Sequence, residues 1–191
     1  MGEELRADAR RNIRSILEAA ARVLAEDPAA SMQAIAAAAE VSRPTVYRHF
    51  AGREELIEAI RLEAMAQAME ALDAAAGSGE PAADALERLI LDLADIAARY
   101  PLLGRMIATQ ADRSREHKKG PPDRLVKAFG ALVARGRRDG TLRPDLRPEI
   151  LGPTTMGALL LALRAAAHRG ADPREVGRQV AAIVLGGARS A

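Results

Sequence analysis

Between Ser31 and Ile60 two short helical patterns stand only a few residues apart, and this spacing constrains the fold more than any other feature of the chain. Ile35, Ala36 and Ala39 fall at helical steps after Ser31, and Val41 and Val46 complete a small core where the two helices cross. A side chain as small as Ala36 lets two helix axes approach that closely. Ser42 is placed to cap the second helix, its hydroxyl accepting from the amide of Thr45. Pro44, in the first turn, removes a donor that has no intrahelical partner there. The layout is that of a helix-turn-helix whose second helix carries Arg43, Thr45, Tyr47, Arg48 and His49. A helix so furnished suits the major groove of duplex DNA.

The run from Val41 to Leu56, Val-Ser-Arg-Pro-Thr-Val-Tyr-Arg-His-Phe-Ala-Gly-Arg-Glu-Glu-Leu, resembles the N-terminal DNA-binding domain of the tetracycline-repressor (TetR) family. The aromatic pair Tyr47 and Phe50, and the basic Arg53 that opens the next helix, carry the resemblance. One position departs from the pattern. The turn between the helices commonly holds glycine in that family, and here it holds Glu40, for which a left-handed backbone costs about 1 kcal/mol more than for glycine.

The resemblance implies roles residue by residue. Arg43, Thr45 and Arg48 are candidates for base-edge or mixed contacts, Tyr47 and His49 for phosphate or sugar, and Arg53 for a phosphate anchor. Ser42 and Pro44 belong to the same interface, and Phe50 packs inward. Each polar residue taken singly is also readable as ordinary surface, and Thr45 as a capping residue alone. At the level of the molecule, the resemblance implies a helix-turn-helix DNA-binding domain over residues 1–55 and a helical ligand-binding and dimerisation domain over 56–191. It implies a homodimer on a palindromic operator, released by a small-molecule effector. The alternatives are an activator, or a DNA-binding dimer whose second domain docks a protein partner.

Composition narrows the field by exclusion. The absence of cysteine removes disulfides, thiol catalysis and thiolate metal sites from consideration. A formal charge of +2 says little, and residues 1–61 hold nine arginines against ten carboxylates. Arrangement says more: residues 41–53 carry Arg43, Arg48 and Arg53 with no acid, and Arg6, Arg10, Arg11 and Arg14 crowd the first helix. The latter cluster is equally well read as solvated surface. No apolar run reaches the roughly 18 residues of a membrane span, and Met1-Gly2-Glu3-Glu4 does not begin a signal sequence, so a cytoplasmic protein without membrane contact is expected.

Periodicity predicts an all-α chain of about nine helices with no strand or repeat. Ile13, Ile16, Leu17, Ala20, Val23 and Leu24 mark the first helix, ending before Asp27-Pro28. Another starts at Gly52 and continues through Leu56, Ile60, Met65, Met69 and Leu72 to the Gly77-Ser78-Gly79 break. Leu86 to Tyr100 form a helical stripe, and a shorter helix follows Pro101 with Leu102, Leu103, Met106 and Ile107. Residues 112–123 read as a charged loop containing His117. A helix from Leu125 to Gly136 follows, and two last helices span roughly Glu149–His168 and Pro173–Leu185, with Asp172 as N-cap of the second. Their broad apolar faces exceed what one neighbour covers, and the resemblance assigns them to a four-helix bundle between subunits.

For the effector, the candidate lining is Met65, Met69, Leu93, Met106, Gln110, Phe129, Thr155 and Met156, with Tyr100 and Thr154 as further hydrogen-bonding groups. Methionine suits irregular apolar ligands, yet it is more often plain core filling. Two Phe, two Tyr and no Trp argue against an aromatic cage. Three scattered histidines, His49, His117 and His168, offer neither a nucleophile–base pair nor ligand spacing on one helix. No enzyme activity, cofactor or metal is expected.

Overall fold

The computed structural model describes residues 2–101, 123–167 and 169–189. Eight α-helices lie among them: α1 (Gly2–Glu26), α2 (Met32–Ala38), α3 (Arg43–His49), α4 (Arg53–Gly77), α5 (Ala82–Arg99), α6 (Asp123–Asp139), α7 (Pro148–Ala167) and α8 (Pro173–Ala188). The all-α expectation holds. Extended pairing among the described residues is limited to one isolated bridge between Leu142 and Arg189. The short helix expected after Pro101, and most of the loop containing His117, lie outside the described residues, as does His168. No described helix is long and apolar enough to cross a membrane.

Two compact units divide the chain: one boundary falls inside α4, between Ala66 and Gln67, and Arg99 and Tyr100 group with the first unit. The first unit packs Ile16, Leu17, Ala20 and Leu24 of α1 around Ile35 and Ala36 of α2, Val46 of α3, Phe50, and Leu56 and Ile60 of α4, all buried. Burial of these apolar side chains, worth roughly 1.5–3 kcal/mol for each large one, holds the two short helices α2 and α3, which could not persist alone. At the rim, Arg14 of α1 pairs with Glu63 of α4 at 2.8 Å.

In the second unit, α5 and α8 run antiparallel. Arg174 at the start of α8 pairs with Asp95 near the end of α5 at 2.6 Å, while Arg189 just beyond α8 reaches Asp84 and Glu87 at the start of α5, each at 3.3 Å. Between these ends the helices touch at Gly177, where an added Cβ would lie 2.6 Å from that of Ala94. Asp172 caps α8 as expected, its carboxylate accepting from the Arg174 amide at 3.0 Å, with Pro173 in the first turn.

The end of α6 fastens two other helices. Arg135 donates to the carbonyls of Ala75, Ala76 and Ser78 at the end of α4, placing a cation where the helix dipole is negative. One turn later, Asp139 accepts from the Ala82 amide at 2.9 Å, at the positive start of α5. Thr141 adds a second cap, accepting from the Ala83 amide at 3.3 Å.

Candidate nucleic-acid interface

Local chemistry fixes where α3 begins. Ser42 has extended backbone (φ −72°, ψ 148°), and its Oγ accepts from the Thr45 amide at 3.2 Å. The Ser42 and Thr45 hydroxyls are also 2.7 Å apart, so the Thr45 side chain is engaged in the cap. Phe50 ends the helix in extended conformation and turns inward, 6% exposed.

The turn before α3 keeps its left-handed shape despite its sequence. Glu40 has φ +55°, its amide donates to Ala37 at 3.1 Å, and the Val41 amide donates to Ala36 at 3.0 Å. These paired bonds form the Schellman closure of α2, which usually recruits glycine at the residue occupied here by Glu40. The helix-turn-helix therefore retains its geometry and bears a backbone cost at one residue.

With Val46 and Phe50 buried, the opposite face of α3 presents Ser42, Arg43, Pro44, Tyr47 and Arg48 to solvent, while Thr45 and His49 are half-buried. The Arg43 guanidinium carbon lies over the Tyr47 ring, 5.2 Å from its centroid. His49 sits at a tilt beside Phe50, ring centroids 6.2 Å apart. Arg48 has no salt-bridge partner among the described residues. Six of the eight sequence candidates thus share one helix, with Ser42 capping it.

Arg53 is differently occupied. Its guanidinium donates to the carbonyls of Pro28 and Ala30 in the connection between α1 and α2. These bonds occupy two of the five N–H donors of the guanidinium and leave the others for a phosphate. Sequence reasoning had no access to this, because it depends on a loop more than twenty residues away. Glu55, an acid in the first turn of α4 where the helix end is positive, accepts from the Ala51 amide at 2.6 Å and holds the start of that helix, as its place in the sequence predicts. The side chains of Arg6, Arg10 and Arg11 are outside the described set; Arg14 is committed to Glu63.

The effector candidates separate by environment. Leu93, Phe129 and Thr155 are buried in the second unit, and Met69 and Met156 are half-buried there. The Thr155 hydroxyl is fully buried and has no hydrogen-bond partner among the described residues. Met65 belongs to the first unit and is 50% exposed. Met106 and Gln110 lie outside the described residues. Tyr100 is buried, and Thr154 is exposed.

Comparison with known proteins places this arrangement among relatives. Residues 16–60 match the family model described as bacterial regulatory proteins, tetR family. Over 174 residues the chain is 30% identical to the HTH-type transcriptional repressor LfrR of Mycolicibacterium smegmatis, a match covering 79% of this chain and 92% of that protein. The crystal structure of PfmR, a TetR family transcriptional regulator from Thermus thermophilus, superposes with a TM-score of 0.64 at 26% identity, over 90% of this chain and 97% of that one. The ketosteroid transcriptional regulator KstR2 of Mycobacterium tuberculosis shares the fold, with a TM-score of 0.66 at 22% identity, over 92% of this chain and 94% of that one.

Proposed function

The chain belongs to the tetR family of bacterial regulatory proteins and is a DNA-binding transcriptional regulator, and from that premise we propose that it is a dimeric repressor released from its operator by a small molecule. The observation that carries the proposal is the outward face of α3, where Arg43, Tyr47 and Arg48 project from a helix fixed at one end by Ser42 and at the other by buried Phe50. In a dimer, two such helices enter successive major grooves about 34–36 Å apart on a near-palindromic site. Arg43, Thr45 and Arg48 then face base edges, and Ser42, Pro44, Tyr47, His49 and Arg53 lie toward the backbone.

Repression is supported by likeness to LfrR, whose name describes a transcriptional repressor. Dimerisation is supported by the outer surfaces of α7 and α8, where Ile150, Leu161 and Ile183 are 60%, 67% and 74% exposed. The effector site is assigned to the second unit, among Met69, Leu93, Phe129, Thr155 and Met156. Because α4 is one uninterrupted helix carrying residues of both units, it is the natural element to convey occupancy to the reader. A ligand shifts the balance only by its different affinity for the bound and released states.

The test is selection of duplexes from a random library by the purified full chain at about 150 mM salt, which suppresses purely ionic binding. Enrichment of one palindrome is the expected result. A folded, dimeric protein that enriches no sequence, with or without removal of copurified small molecules, argues against the proposal.

A further inference from the structure

Granted the DNA-binding reading above, we infer that Arg43 reads a guanine in each half-site and that Tyr47 is the positioning residue that holds its guanidinium in place. The three arginines of the reader are in three different states. Arg53 is anchored by two of its five donors to the carbonyls of Pro28 and Ala30. Arg48 is exposed and has no ion-pair partner among the described residues, so its long side chain is unrestrained. Arg43 is held without spending a donor: its guanidinium carbon stands 5.2 Å from the centroid of the Tyr47 ring, one helical turn away.

A cation held over an aromatic face needs no hydrogen bond for that hold. The planar fork of N–H donors therefore stays available at its edge. In the major groove guanine offers two acceptors, O6 and N7, spaced for such a fork, whereas adenine offers one acceptor beside a donor. Arg43 also occupies the first residue of α3, the end of a recognition helix that approaches base edges. Tyr47, 39% exposed, restricts the rotamers of Arg43 before DNA arrives, which favours one base register over a diffuse phosphate contact.

The experiment compares base-preference profiles, selected from a random duplex library, for the parent chain and for Arg43→Ala, Tyr47→Phe and Tyr47→Leu. The parent is expected to enrich a palindrome with a guanine in each half. Arg43→Ala is expected to lower the preference at that base pair about tenfold or more, leaving other positions as they were. Tyr47→Leu is expected to lower the same preference by about two- to five-fold, while Tyr47→Phe, which keeps the ring, stays within about twofold of the parent. A Tyr47→Leu profile in which every base preference stays as in the parent overturns the inference, even where loss of a phenol–phosphate contact weakens all duplexes alike. So does an Arg43→Ala profile that superposes on the parent's. A parent chain that enriches nothing overturns the DNA-binding reading itself, and the two failures are thereby distinct.

Discussion

Glu40 and Thr155 each sit where a different side chain would cost less. Glu40 is the one non-glycine residue with positive φ among those described, held there by the two bonds that close α2. Glu40→Gly removes the clash of a Cβ with the left-handed backbone, so thermal unfolding followed by circular dichroism should show a gain of about 1 kcal/mol. An unchanged melting temperature would mean that the turn relaxes without the strain ascribed to it. Thr155 buries a hydroxyl that has no partner among the described residues. Thr155→Val keeps the shape and removes the desolvation cost, so the ligand-free protein should become more stable by roughly 1 kcal/mol. A loss of stability would reveal a partner that the hydroxyl does have. At this scale the sequence was informative wherever the determinant is local: the Ser42 and Asp172 caps and the inward turn of Phe50 follow from near neighbours. The bonds of Arg53 to Pro28 and Ala30 do not, because helical periodicity says which face a residue occupies and not what a long side chain can reach.

Helices in the second unit are fastened by groups supplied from far along the chain, most clearly in the last turn of α6. Arg135 and Asp139, one turn apart, close the end of α4 and the beginning of α5, on either side of the Gly77-Ser78-Gly79 break. Hydrogen bonding by the Thr141 hydroxyl, followed by the amides of Thr141 and Ala82 and the nearby Arg135 charge, holds the Asp139 carboxyl below its ordinary range. The lowered value means that the folded state favours the ionised form. Its contribution is present above the unfolded carboxylate value of about 3.9 and is lost as pH falls through the lower folded value. Asp139→Ala removes the cap on the Ala82 amide and should cost about 1 kcal/mol near neutral pH. The gap between variant and parent should narrow as pH drops below about 4; a pH-independent gap in denaturant titrations would show that the charge has no part in the cap. Extents of α4, α5 and α8 were legible from their apolar spacing, but a cap lying 57 residues from its helix was not, since no local pattern encodes it.

For the molecule as a whole, the expected second copy is the main determinant. Ile150, Leu161 and Ile183 leave the described surface with large apolar side chains in water, and all three lie on α7 and α8. If these helices face another copy, Ile183→Glu should place an unpaired charge in the interface. Size-exclusion chromatography with light scattering should then show a shift from dimer to monomer, and a variant that stays dimeric at micromolar concentration would move the interface elsewhere. The broad faces of α7 and α8 were visible in the sequence because they exceed what one neighbour can cover. Exposure was less visible: Met65 fits the helical stripe of α4 and yet is half exposed, since spacing alone cannot distinguish a face turned to a core from one turned outward. Finally, the passage from one unit to the other inside α4 has an evolutionary corollary. The helix runs unbroken through Ala66 and Gln67, so a reader cut at that point ends in a severed helix with unsatisfied carbonyls. Such a reader is a poor candidate for recombination onto a foreign effector domain unless the incoming segment continues the helix.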